Sequence, residues 1–156
     1  MRNNQPVTQR ERTFPETQRL ISTTDLKGII TYCNDAFVDV SGYTREELIG
    51  SPHNMVRHPD TPSAVFAHMW AALKRGHAWM GIVKNRCNNG DHYWVNAFVT
   101  PIYENGQVQG YESVRVRTTP GQVQRAEALY QRLNSGRRAV SLDWTGAALH
   151  IAPSAL

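Results

Sequence analysis

A chain of 156 residues with 40% hydrophobic and 19% charged residues has room for one domain with a packed core, and this composition excludes disordered and collagen-like classes. The formal net charge of +4 marks no nucleic-acid partner, because the basic residues are scattered, Arg137 and Arg138 being the only adjacent arginines. Two cysteines exclude a disulfide scaffold, no apolar run approaches the roughly 18 residues needed to span a bilayer, and the polar start lacks the apolar stretch of a secretory signal, so the chain as given is expected to be soluble.

Residues 1–18 are polar and unpatterned and read as a mobile arm. Leu20 to Thr24 reads as a short strand, Asp25-Leu26-Lys27-Gly28 as a turn, and Gly28 to Cys33 as a second strand pairing back on the first. Asn34 or Asp35 can cap a short helix carrying Phe37, Val38 and Val40 that ends at Gly42. Thr44 with Glu47 three residues on has the capping-box spacing and opens a second short helix, closed at Gly50. The stretch from Pro52 to Pro62 is irregular. From Pro62 onward Val65, Phe66, Met69, Trp70 and Leu73 form one apolar face of a longer helix that stops at Gly76. Ala78 to Cys87, Asp91 to Tyr103 and Val108 to Arg117 read as three strands joined at Asn89-Gly90 and Asn105-Gly106. A helix over about Gln122 to Leu133 follows, then a weakly patterned tail. This order predicts an α+β fold: a five-stranded antiparallel sheet with short helices across one face.

At the residue level, Thr24-Asp25-Leu26-Lys27-Gly28 through Asn34 and Phe37 through Gly50 resemble the opening of PAS domains. The blocks His53-Asn54-Met55-Val56-Arg57-His58-Pro59-Asp60, Gly81 through Arg86, and Asn89 through Val95 are more particular. They resemble the amino-terminal PAS domain of bacterial aerotaxis receptors, over about Ser22 to Thr118. The resemblance implies a PAS sensory domain at 19–119, with 120–156 as a linker helix and tail leading toward a membrane anchor. It further implies noncovalent FAD, whose redox state reports oxygen and electron transport. The sequence itself carries no nucleophile elbow, phosphate-binding glycine loop or paired-carboxylate motif, so no enzymatic activity is expected. The partners that the resemblance implies are the downstream HAMP and signalling region of the same receptor and a second copy in a homodimer. By the same resemblance the chain would be the cytoplasmic domain of an inner-membrane receptor.

The resemblance carries cofactor binding over to Arg57, His58, Asp60, Asn85, Trp79 and His53. Arg57 can donate charge-assisted bonds to a pyrophosphate, with His58 and Asp60 on the same proline-bounded loop. Taken alone, that loop is better explained by an Arg57–Asp60 pair beside a solvated histidine, and it is the resemblance that reverses this. Asn85 sits on the strand face opposite Lys84 and Arg86, and its amide offers both a donor and an acceptor to the mixed edge of a flavin ring. Trp79 begins the same strand and is in position to pack on flavin or adenine. Trp70 reads as core, and Tyr93 and Trp94 face opposite ways, so that one at most lines a pocket. Haem, through His53, His58 or His68, and a cofactor-free interaction module are the competing readings. No cysteine lies in Pro52 to Arg57, so the thiol photoadduct of light-sensing relatives is not expected from Cys33 or Cys87.

Overall fold

The computed structural model describes residues 4–136, 141–143 and 148–150. Strand β1 (Leu20–Asp25) turns back into β2 (Ile30–Cys33), with the Asp25 carboxylate accepting from the N–H groups of Lys27 and Ile29 at 2.8 and 3.0 Å. Asn34 caps helix α1 (Asp35–Ser41) by accepting from the Phe37 N–H, and Thr44 and Glu47 close the expected capping box of α2 (Arg45–Leu48). A single 3₁₀ turn, His53–Val56, breaks the irregular stretch before α3 (Ser63–Lys74). Strands β3 (Trp79–Arg86), β4 (His92–Glu104) and β5 (Gln107–Arg117) form the meander. Asn105 and Gly106 both take positive φ, 54° and 77°, as a two-residue hairpin turn whose twist matches that of its strands. Together the strands make one antiparallel sheet in the order β2-β1-β5-β4-β3. The short strands β6 (Ser141–Asp143) and β7 (Ala148–His150) pair separately; the rest of the tail reading lies outside the described residues.

Alternation sorts the sheet into two faces. Val83 and Asn85 of β3, Val95, Ala97 and Val99 of β4, and Tyr111, Ser113 and Arg115 of β5 look toward α3 and the 3₁₀ turn. Phe37, Leu20, Ile30, Leu48 and Val56 are fully buried in the core that closes this side.

Two segments dock on the meander, and the second departs from expectation. Helix α4 (Pro120–Asn134) packs against the sheet: Ala126 and Tyr130 are buried, the Tyr130 hydroxyl donates to the Ile82 carbonyl at 2.7 Å, and its ring meets Trp94 at 5.7 Å. The apolar stripe of α4 covers the outer face of β3 and β4, which would otherwise expose Trp94. The amino-terminal arm is likewise docked. Thr8 N–H donates to Gly90 O, Arg12 N–H to His92 O and His92 N–H to Arg10 O, while Phe14 is buried. Side chains add to these backbone bonds: the Asn4 amide donates to Asn54 O and Arg57 O at 3.0 and 2.7 Å, and Thr8 Oγ1 donates to Asp91 Oδ1 at 2.6 Å. Each partner lies far along the chain, so no local pattern records the docking.

Candidate functional site

Between the sheet and α3 lies a cavity of about 310 Å³. Its walls are apolar, with Val83, Val95, Ala97 and Val99 from the sheet facing Val56, Phe66, Met69 and Leu73. Lys27, Pro52 and Asn54 are exposed and mark its rim. Ser22, His53, Asn85 and Arg115 bring polar groups to it from three strands and the 3₁₀ turn.

Of the three cations in this lining, Lys27, Arg57 and Arg115, only Arg115 is buried. It is 3% exposed, and its guanidinium donates to Leu20 O at 3.2 Å and Ser22 Oγ at 2.8 Å and contacts His53 Nε2 at 2.5 Å. The Phe37 ring lies beneath it at 4.8 Å. Among the described residues no carboxylate pairs with it. Desolvation pushes its pKa down to about 10, which leaves it a cation at neutral pH. A guanidinium only donates, so the contacted His53 Nε2 must be the bare nitrogen and the ring proton sits on Nδ1. Burial, reinforced by the Arg115 charge, pushes His53 down to about 3 and keeps it neutral. The sequence analysis did not single out Arg115, which it left among the scattered basic residues. The missed signal is the run Tyr111, Ser113, Arg115 at alternate positions of one strand, a polar set on an inward face.

Of the residues singled out from sequence, Arg57, Asn85, Trp79 and His53 come together in this lining. The Arg57 guanidinium stacks 4.4 Å over the Phe66 ring, and its backbone bridges to Asn85, tying the loop to β3. Asn85 is buried beside the Tyr93 hydroxyl, with Lys84 and Arg86 on the opposite face as alternation requires. The Trp79 indole N–H donates to His68 Nδ1 at 2.9 Å. Trp70, read as core, instead lines the cavity edge-on to Tyr111, ring centres 5.2 Å apart. Tyr93 is fully buried, and Trp94 lies on the outer face.

His58 and Asp60 do not join them. Past Arg57 the loop crosses the end of β3, so the next side chains reach the strand's outer face. There Asp60 Oδ2 accepts from Lys84 Nζ at 2.8 Å. Against partial desolvation, which raises its pKa, the Lys84 ammonium holds the Asp60 carboxyl below the usual carboxylate range. His58 is 2% exposed, accepts the Asp60 N–H at Nδ1, and is pushed down to about 4 by burial and the Lys84 charge. Closeness in sequence therefore separates these two from Arg57 in space. Of the three histidines considered for haem, only His53 lines the cavity, and its free nitrogen faces the Arg115 cation, an arrangement adverse to a metal ion. Cys33 and Cys87 are buried, line no part of the cavity, and have thiols pushed up by burial, Cys87 to about 11. No helix among the described residues is long and apolar enough to cross a membrane.

Comparison with known proteins agrees with this architecture. A family model described as PAS fold matches residues 30–115. The aerotaxis receptor of Escherichia coli K12 is 54% identical over 131 residues, 84% of this chain, which spans 26% of that receptor's length. The nitrogen fixation regulatory protein of Klebsiella pneumoniae is 30% identical over 92 residues, 58% of this chain and 19% of its own length. Among solved structures, the PAS domain of a Colwellia psychrerythraea protein superposes with a TM-score of 0.60 at 28% identity, covering 65% of this chain and 86% of that one. The light state of the blue-light photoreceptor Aureochrome1 LOV reaches 0.63 at 22% identity, covering 76% and 93%, a likeness of fold alone. With residues 30–115, more than half its length, matched by the family model, this chain belongs to the PAS-fold family.

Proposed function

We propose that this domain is a flavin-binding redox sensor that holds FAD in the cavity behind its sheet. The observation that carries the reading is the make-up of that cavity: apolar walls, a buried Asn85 amide and an Arg115 cation with no carboxylate partner among the described residues. Such a lining fits a planar heterocycle whose faces are apolar and whose edge is polar. Arg57, stacked on Phe66 beside the exposed rim, fits the diphosphate that follows the ring.

A bound flavin supplies reversible electron uptake. The protein's part is electrostatic and positional. Arg115, fixed by Leu20 O, Ser22 and His53, presents a positive charge that favours a ring gaining electrons. Asn85 carries a donor and an acceptor on one amide, so a half-turn of that amide exchanges the bond it offers. Because Asn85 belongs to β3, its rearrangement acts on the strand whose Ile82 carbonyl holds Tyr130 of α4. A change at the cavity thus biases the docking of α4, the element leading toward the later part of a receptor. In the whole protein this would report oxygen and redox state, as the likeness to the aerotaxis receptor suggests.

The test is an absorption spectrum of the purified protein before and after dithionite, with hydrogen exchange of β3 and α4 in both states. A flavin spectrum that bleaches and returns with air, together with changed protection of α4, is expected. A Soret band, a colourless protein that takes up no added FAD, or protection that ignores reduction would each sink the reading.

A further inference from the structure

Gly81 occupies the middle of β3, opposite Ala97, where strand backbone makes no demand for glycine and glycine weakens the strand. Its role is visible in what a side chain would meet. A Cβ at this position would lie 2.2, 2.5 and 2.9 Å from Cη2, Cζ2 and Cζ3 of Trp79. Those are ring atoms of a rigid side chain, so a methyl group cannot be accommodated by a small adjustment. Trp79 and Gly81 share a face of the strand, and the indole lies flat along the backbone in the space left by the missing side chain. It is 3% exposed and lines the cavity. The far end of the indole is fixed from the other side: Nε1–H donates to His68 Nδ1 of α3 at 2.9 Å. That bond requires a neutral His68 with its proton on Nε2. Burial and the charge of Arg75 lower the His68 pKa, which keeps the accepting lone pair available.

We propose that Gly81 and His68 are positioning residues that hold Trp79 as a wall of the cavity and so keep its interior open for a planar ring. The glycine sets the depth at which the indole lies and the histidine sets its direction. With a methyl at 81 the indole is pushed away from the strand, and the open direction is into the cavity it now borders. This rests on the flavin reading for the identity of the ring but not for the position of Trp79, and the two can fail separately.

The test is a double-mutant cycle on the full chain. FAD affinity is measured by fluorescence titration, and the Trp79 Nε1–H resonance of ¹⁵N-labelled protein is followed beside it. Gly81→Ala should weaken FAD binding by about tenfold or more, as overpacking of a filled site does, and shift the indole resonance. In a Trp79→Ala background the same change should alter affinity by less than about twofold, because the clashing ring is gone. His68→Leu should speed solvent exchange of the indole N–H, and His68→Gln, which keeps an acceptor, should restore part of the protection. Undiminished affinity in Gly81→Ala overturns the proposal, as does an equal loss with Trp79 absent, or an indole resonance indifferent to His68→Leu. If the wild-type chain binds no FAD, the flavin reading fails alone, and the indole resonance in Gly81→Ala and His68→Leu still decides the positioning claim.

Discussion

Arg115 and His53 form a contact in which each fixes the state of the other. The guanidinium depresses the imidazole, and the neutral imidazole gives the guanidinium an acceptor where no carboxylate stands. Replacing Arg115 with methionine removes the neighbouring charge but leaves the burial. The His53 pKa should then rise from about 3 while staying below that of a solvated imidazole, and a proton NMR titration of its ring reads this directly. An unmoved titration would show that burial alone sets it. Arg57 gives a second prediction. Arg57→Ala removes a charge-assisted contact worth roughly 1.5–3 kcal/mol when well formed, so FAD affinity should fall by about tenfold or more with little change in the unfolding midpoint. Asp60→Ala should cost much less, since Asp60 meets Lys84 on the far side of the sheet and reaches the cavity only through the shared loop. Equal losses in the two variants would contradict this separation. The sequence grouped Arg57, His58 and Asp60 because they are neighbours along the chain. Which side of a strand a loop residue reaches depends on where the loop crosses it, and no local pattern records that.

At the scale of elements, most boundaries were legible because their chemistry is local. Thr44 with Glu47 announces a helix start, and Asn105-Gly106 announces a hairpin. What a whole element packs against was less legible. Val123, Ala126 and Tyr130 lie on one face of α4, but their spacing does not say which surface covers that face, and the arm that reads as mobile is docked. The α4 contact is testable through Tyr130. Its hydroxyl reaches the Ile82 carbonyl deep in the fold, and burial raises its pKa, so it stays a donor at any ordinary pH. Tyr130→Phe keeps the ring against Trp94 and leaves that carbonyl without this donor. A loss of about 1 kcal/mol in urea unfolding is expected, with faster amide exchange in the last turns of α4. Unchanged exchange there would mean that the ring contact with Trp94 and the Asn134 amide, which donates to Asp60 O at 2.9 Å, hold the helix without this hydroxyl.

For the molecule as a whole, the histidines set an acid limit. His53 and His58 are held at about 3 and 4, below their unfolded value near 6.5, so the unfolded chain binds more protons throughout that interval. Their contribution to stability is complete above about pH 6.5 and is lost progressively as pH falls, levelling off once both folded groups are protonated near pH 3. Thermal unfolding midpoints between pH 7 and 4 should decline, and the decline should be shallower in His58→Gln, which cannot take up that proton. A profile identical to wild type would remove His58 from the account.

The two faces of β3 carry a further consequence. Val83 and Asn85 turn inward while Ile82 and Lys84 turn outward, and on β4 Val95 and Ala97 alternate with Trp94 in the same way. The contrast between an apolar-walled cavity and a charged, helix-covered exterior is therefore written as a phase along the strand, not as a choice of residues. One residue inserted after Ile82 would leave the composition almost untouched and invert the remainder of the strand: the lysine would enter the cavity, and the asparagine would face α4. That chain should lose both ligand binding and the docking of its last helix together. A compensating deletion before the Asn88-Asn89-Gly90 turn should restore them only where it returns the original parity.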